Sequence, residues 1–525
     1  MHTMKSKIIT PIRLITASAL LVLSLILPGC SKQEFNERNT DPTKLTNLTP
    51  TDIKALFAGA EYSGMNTGAG TVDYQQAQNL FADMFCQYFA GTQTAFASHR
   101  YVINQQWVRY QWYSTYVYAM PALVKIIQES NSENTIPLKS IARIWKVFVL
   151  HRTTDYFGPI PYSKIGLDSL VVPYDDQKDI YTDFFKELTE AVTDLKNNAD
   201  KPSYGTQDKI YSGDIQKWIA FGNSLRLRLA LRISKVDPAK AQKEAEAAVT
   251  DGVMTDVAQD AHLQVAPPDN YNGLARISGW NEFRMSTSME SLMKGYQDPR
   301  LSKFFQPSVN SNQYTGLRNG MIPAEQTLPA NDYNIASNLA QNWTPDSMYL
   351  TQMNVMYASE AYFLRAEGAL NGWAMGDNTA NLYAKGIEMA MKSWGVSDMT
   401  TINNYINSVN MPMAPGGYFN TPALTDIPVK FAGDPEKERE QILTQKWLAV
   451  YPDGFEAWAE MRRTGYPKFY PLIHSENPDV PANKMIRRIP FLDIEKTVNG
   501  AAVQTAAGLL KGPDNAATRL WWDVE

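Results

Sequence analysis

The stretch Ile442–Pro467, ILTQKWLAVYPDGFEAWAEMRRTGYP, decides the fold. Its first half, led in by EKEREQ, carries apolar residues at the three- and four-residue spacing of a helix with one buried face. Pro-Asp-Gly interrupts the pattern, FEAWAEMRRT resumes it at once, and Gly465 closes it as a C-cap glycine does. Two helices with so short a link pack as an antiparallel pair.

Working outward, the same arrangement returns. SIARIWKVFVLHRTTDYFG is followed after a loop by DIYTDFFKELTEAVTDLKNNA. DIQKWIAFGNSLRLRLALRIS leads into DPAKAQKEAEAAVTDG, where Asp237 can cap and Pro238 takes the first helical position. YASEAYFLRAEGALNGW and NTANLYAKGIEMAMKSWG form another pair. Further upstream, YQQAQNLFADMFCQYFAG and QQWVRYQWYSTYVYAMPALVKIIQE are helical as well. The expected fold is mainly α, with tetratricopeptide-like helix pairs of irregular period. Residues 252–349 break that character with APPDNYNGLARISGW, QPSVNSNQYTGLRNGMIPAEQ and NDYNIASNLAQNW, loop sequences rich in Asn, Gly, Pro, Tyr and Trp. A second irregular zone runs from 410 to 435. A helical scaffold carrying long structured loops is the usual arrangement for a binding surface.

Composition narrows the function. The 525 residues are 44% hydrophobic and 20% charged, with net charge −5, which falls to about −8 once Lys5, Lys7 and Arg13 leave with the leader described next. A mildly acidic chain with no basic run is a poor nucleic-acid binder. The 27 Tyr and 12 Trp exceed what a core requires, so some rings face a ligand or partner.

The N-terminus carries an address. Residues 1–13 hold three cations and no acid, and the uncharged run Leu14–Leu27 is shorter than the ~20 residues that span a bilayer. It ends at Leu27-Pro28-Gly29-Cys30, which resembles a bacterial lipobox with Pro28 as a departure. The expected layout is a lipoprotein signal peptide over 1–29, a Cys30-lipidated N-terminus and flexible tether over 30–48, and a body over 49–525. Acyl chains on Cys30 would hold the body to a membrane, since each buried CH₂ contributes roughly 0.8 kcal/mol. The other cysteine, Cys86, lies at helical spacing and reads as core.

HRTTDYFGPIPYSK, YASEAYFLRAEGALNGW, ILTQKWLAVYPDGFEAWAEMRRTGYP, IRRIPF and FNERNTDPTKLT together resemble SusD/RagB-like outer-membrane lipoproteins of Bacteroidetes-type bacteria, the smaller SusD-like branch in particular. One departure is Gly368, where the family pattern has Ala. The resemblance implies helix pairs supporting an irregular ligand-binding half. It also implies a surface-exposed lid on a TonB-dependent, SusC-like transporter of the outer membrane, passing it oligosaccharides or, in the RagB-like case, peptides.

The residues suggest no enzyme. Asp155 reads as a cap or an arginine partner, and Gly158 and Pro159 as a helix stop over Tyr156 and Phe157. Glu360 and Glu367 share one helical face, with Arg365 as the expected partner, where a glycosidase needs acids across a cleft. His99, His151, His262 and His474 are isolated, and neither a nucleophile elbow nor a phosphate loop occurs. No catalytic residue, cofactor or metal ligand is assigned; a surface hydrolase is the remote alternative. The ligand-binding candidates are Tyr271, Asn272, Arg276, Trp280, Tyr314, Tyr333 and Trp343, flat rings for sugar C–H faces and polar groups for hydroxyls. Trp107, Trp112 and Tyr113 recur at helical spacing and read as core.

Overall fold

Most helices form where the apolar spacing predicts them, but the expected helix YQQAQNLFADMFCQYFAG ends as a strand at Phe89–Gly91. The computed structural model describes residues 49–67, 74–166 and 171–525; the leader, Cys30 and the tether lie outside the described residues. Pro50–Glu525 form one compact unit. Helices α1 (Pro50–Gly64), α2 (Gln105–Tyr113) and α3 (Met120–Glu129) lead into α4 (Ile136–Phe157) and α5 (Gln177–Asn197). Then come α6 (Ile215–Arg232) and α7 (Pro238–Asp251), with the Asp237 carboxylate accepting from the Lys240 N–H at the start of α7. Two stretches, Gln75–Asp83 and Ser114–Ala119, wind as π-helix. Gly158 ends α4 at φ +95°, a left-handed value that no Cβ tolerates well, and Tyr156 and Phe157 are fully buried beneath it.

The loop-rich stretch carries short regular pieces: α8 (Gly273–Ile277), α9 (Thr287–Gly295), β2 (Ala261–Leu263) and β3 (Phe283–Met285). Strand β3 pairs antiparallel with β1 (Phe89–Gly91), Ala90 opposite Arg284, and β2 pairs antiparallel with β4 (Met353–Met356). The chain then returns to helices: α10 (Ala358–Leu370) pairs with α11 (Thr379–Ser393), and α12 (Met399–Ile406), α13 (Pro435–Ala449) and α14 (Gly454–Thr464) follow. The short link does not make α13 and α14 a close pair, since α13 packs on α10 and α11 while α14 packs on the π-helical Gln75–Asp83 and on α4. Helices α4 to α7 pack in succession, α6 touches α10, and α10 packs on both α11 and α13. The fold is mainly α, as the spacing predicts.

The interior of this scaffold is charged. Arg228 of α6 makes a bidentate pair with Glu360 of α10 at 2.8 and 2.6 Å. Arg232 reaches Asp155, Glu456 and Glu460. Lys446 lies 3.0 Å from both Glu456 and Glu460, and Arg463 clamps Glu367 with two 2.7 Å bonds. Burial alone would raise Glu456, but Arg232, Lys446 and Arg228 outweigh it and bring it to about 2. The expected local partner is therefore replaced: Arg365 donates to the Met375 carbonyl and covers Tyr362, while Glu360 and Glu367 are buried against arginines of other helices. Asp155 pairs with Arg232 and accepts from the Tyr181 hydroxyl and the Trp522 indole.

Candidate functional site

The seven candidate residues fall into two neighbouring groups. Tyr271, Asn272, Arg276 and Trp280 gather around α8, with the segment that starts at Trp343 against them. Asn272 caps α8, its Oδ1 accepting from the Ala275 N–H at 3.0 Å while its Nδ2 donates to the Gln352 carbonyl at 3.1 Å. Its amide is thereby engaged within the protein. Tyr271 is buried under the Arg276 guanidinium, 4.7 Å from the ring centre, and meets Tyr349 edge-on. Trp343 is 4% exposed and stacks on Trp394 with centroids 5.8 Å apart.

Trp280 behaves differently. It is 38% exposed, the most of all twelve tryptophans, and it follows α8 directly. Asn281 beyond it adopts φ +60°, and Arg284 of β3 binds the Asn281 side chain at 2.6 Å. The same guanidinium donates to the Tyr333 carbonyl and lies 5.0 Å from the Tyr333 ring. Burial pushes Arg284 down to about 10, against the opposing influence of Tyr333 and Asp332. Arg284 thus ties Trp280's loop to Tyr333's. Tyr314, half-buried, belongs to the second group: its neighbour Thr315 exchanges hydrogen bonds with Ser337, and Met285 of β3 donates to the Ser337 carbonyl.

Beside the first group lies an open pocket of about 480 Å³, walled by Trp343 and Trp394 and edged by His262, Asn354, Gln352 and Ser393. Its aromatic and amide lining suits an uncharged polar ligand. Beneath it, burial raises Asp260 to about 7 despite bonds from Ser393 and the Ala358 N–H. Sequence reading missed Trp394, which ends a helical stretch, and Arg284, whose neighbours in SGWNEFRMS carried the only local signal. Of the helical rings, Trp112 is buried, whereas Trp107 is half-buried against Phe96 and Tyr113 half-buried under Arg109.

Among the described residues no group of three or more His, Cys, Asp or Glu could hold a metal ion, and no helix is long and apolar enough to cross a membrane. Cys86 is buried and unpaired. A family model described as SusD and RagB outer membrane lipoprotein matches residues 36–523. The chain belongs to the SusD-like family. A chitin-binding SusD homologue from Flavobacterium johnsoniae is 36% identical with TM-score 0.83, the match covering 90% of this chain and 99% of that one. A SusD homologue from Bacteroides vulgatus is 30% identical (TM-score 0.83, 90% and 97% covered). A SusD-like protein from Bacteroides thetaiotaomicron is 31% identical (TM-score 0.80, 90% and 99% covered). No curated protein matches. SusD-like membership accounts for the helix pairs and for a loop-rich half.

Proposed function

We propose that this SusD-like chain is a non-catalytic, lipid-anchored protein of the outer cell surface that captures oligosaccharides and delivers them to a TonB-dependent, SusC-like transporter. In this reading residues 1–29 are the signal peptide, Cys30 carries the lipid, 30–48 form the tether and 49–525 the binding body. The observation that carries it is Trp280, a large flat ring left half in solvent on a loop that Arg284 and Asn281 hold in place. Such a ring can cover the C–H face of a sugar at low entropic cost. Arg276, Tyr314 and Tyr333 belong to the same loop-rich half, and Tyr271, Asn272 and Trp343 pack within it.

The chitin-binding relative makes β-linked N-acetylglucosamine oligomers the first ligand to try. The hydrolase alternative is disfavoured because Glu360 and Glu367 are buried in ion pairs. Isothermal titration of the soluble body against chitin oligosaccharides, other glycans and peptides tests the reading. Trp280→Ala should weaken glycan binding by roughly 1–3 kcal/mol, about five- to 150-fold. Peptide binding without any glycan response would turn the assignment to the RagB-like alternative. For the anchor, Cys30→Ala should move the protein from the membrane fraction to the soluble one.

A further inference from the structure

A cavity of about 470 Å³ opens on the helical half, where α6, α10 and α14 end beside the first turn of α13. Two rings, Trp373 and Tyr466, and three cations, Lys235, Arg439 and Arg463, line it. Its carboxylates are already engaged. Glu367 takes both Nη atoms of Arg463 at 2.7 Å, and Glu436 accepts the Tyr466 hydroxyl at 2.6 Å. The other two cations are not matched in the same way. Arg439 comes only within 3.9 Å of Glu367 and gives one Nη to Asn371, and Lys235 makes no hydrogen bond or ion pair among the described residues.

Cations at helix C-termini often do no more than offset the carbonyl dipoles, and such a cation is stabilised in its charged form. Lys235 shows the opposite: burial and then Arg463, with Arg519 adding, hold its ammonium below the usual lysine range against Asp523 and Glu367. The cavity thus presents one ammonium, Lys235, with no ion-pair partner among the described residues and one guanidinium, Arg439, held no closer than 3.9 Å to a carboxylate.

The ring wall depends on Gly368. A Cβ at Gly368 would come within 2.7 Å of Met375 Sδ and 3.3 Å of Trp373 Cε3. Its absence lets the turn after α10 fold back, with the Trp373 N–H donating to the Gly368 carbonyl at 3.0 Å. Trp373 is left half-buried, with an indole face and no aromatic neighbour among the described residues.

We propose that this cavity is a second ligand site, one that takes a sugar unit carrying a carboxylate, with Lys235 and Arg439 on the carboxylate and Trp373 against the ring. It lies on the scaffold rather than on the Trp280 loops and stands whether or not Trp280 binds glycan.

Titration of the soluble body with sodium glucuronate, glucose, inorganic sulfate and an acidic dipeptide at fixed ionic strength tests it. Glucuronate should bind at least about tenfold more tightly than glucose. Lys235→Met and Arg439→Met should each weaken glucuronate about fivefold or more, and Trp373→Ala should do so without changing the charge. Gly368→Ala should act like Trp373→Ala, and Trp280→Ala should leave glucuronate binding unchanged. The proposal falls if glucose matches glucuronate, if sulfate matches it so that the site holds a simple anion only, or if the dipeptide binds more tightly. Indifference of all three ring and cation variants would also overturn it.

Discussion

Arg228 and Arg232 in the helical half and Arg284 in the loop half do opposite things, although Arg300 pairs with Asp298 in the loop half and Arg462 bonds carbonyls in the helical one. In the helical half, Arg228 and Arg232 face carboxylates from other helices, and those carboxylates raise both guanidinium pKa values despite complete burial. In the loop half, Arg284 meets only neutral acceptors, the Phe283 and Tyr333 carbonyls and the Asn281 amide, and burial drives it down to about 10. Arg276 likewise covers a tyrosine ring. The difference separates two ways of fixing structure. Full ion pairs lock helices whose positions must not vary. Single arginines bonded to carbonyls and rings hold loops in shape while leaving a neighbouring ring open to solvent.

Removal of Arg232 should have the largest effect. Arg232→Ala leaves Glu456, Glu460 and Asp155 short of a cation in a dry interior, so stability should fall by about 3–5 kcal/mol in chemical denaturation. Glycan binding by the folded fraction should persist. An unchanged denaturation midpoint would show that the ion lattice is not what holds the scaffold.

Next in size is Trp343→Ala, which deletes a buried ring from its stack on Trp394. A loss of about 3 kcal/mol is expected by thermal melt, whereas Trp280→Ala should change stability by about 0.5 kcal/mol or less. Equal losses would erase the distinction between packing and binding rings.

The third effect is spread over several pH units as a slope. Burial raises Asp83 to about 7, against bonds from Gln78 and Asn79, so the native state keeps a proton that the unfolded chain releases near pH 4. Its contribution to stability is therefore greatest at acid pH and declines as pH rises from about 4 to about 7, by up to about 1.4 kcal/mol per unit. Glu456 acts in the other direction, its contribution being lost as pH falls from about 4.5 towards 2. Asp83→Asn should flatten the upper slope in pH-resolved melts and leave the acid limb intact.

Much of the scaffold was legible because its signals are local. Asp237 caps α7, Gly158 stops α4, and the Pro-Asp-Gly break separates α13 from α14, all by chemistry within a few residues. Asn272 read as a ligand amide because five-residue α8 is too short to show a period, so its cap went unseen. Glu360 read as Arg365's neighbour because Arg228, its actual partner, stands 132 residues away. Trp394 escaped notice for the same reason: its stack with Trp343 pairs a helix end with a distant loop, and no local pattern announces such a contact.

Those separations bear on how the chain folds. Arg228 finds its carboxylate 132 residues downstream, and Arg232 finds Glu456 after 224. When α6 is made, α10 and α14 do not yet exist, and the helix carries two cations on a face that will later be interior. Collapse of α4 to α7 into a finished core is disfavoured until the last helices arrive, because burying an unpaired guanidinium costs more than its apolar neighbours return. The early helices thus stay hydrated and resist premature association. Long-range pairing of this kind slows folding. It also makes completion of the scaffold conditional on its C-terminal third: a chain cut before Asp453 would keep Asp155 and Glu360 but leave Arg232 without Glu456 and Glu460.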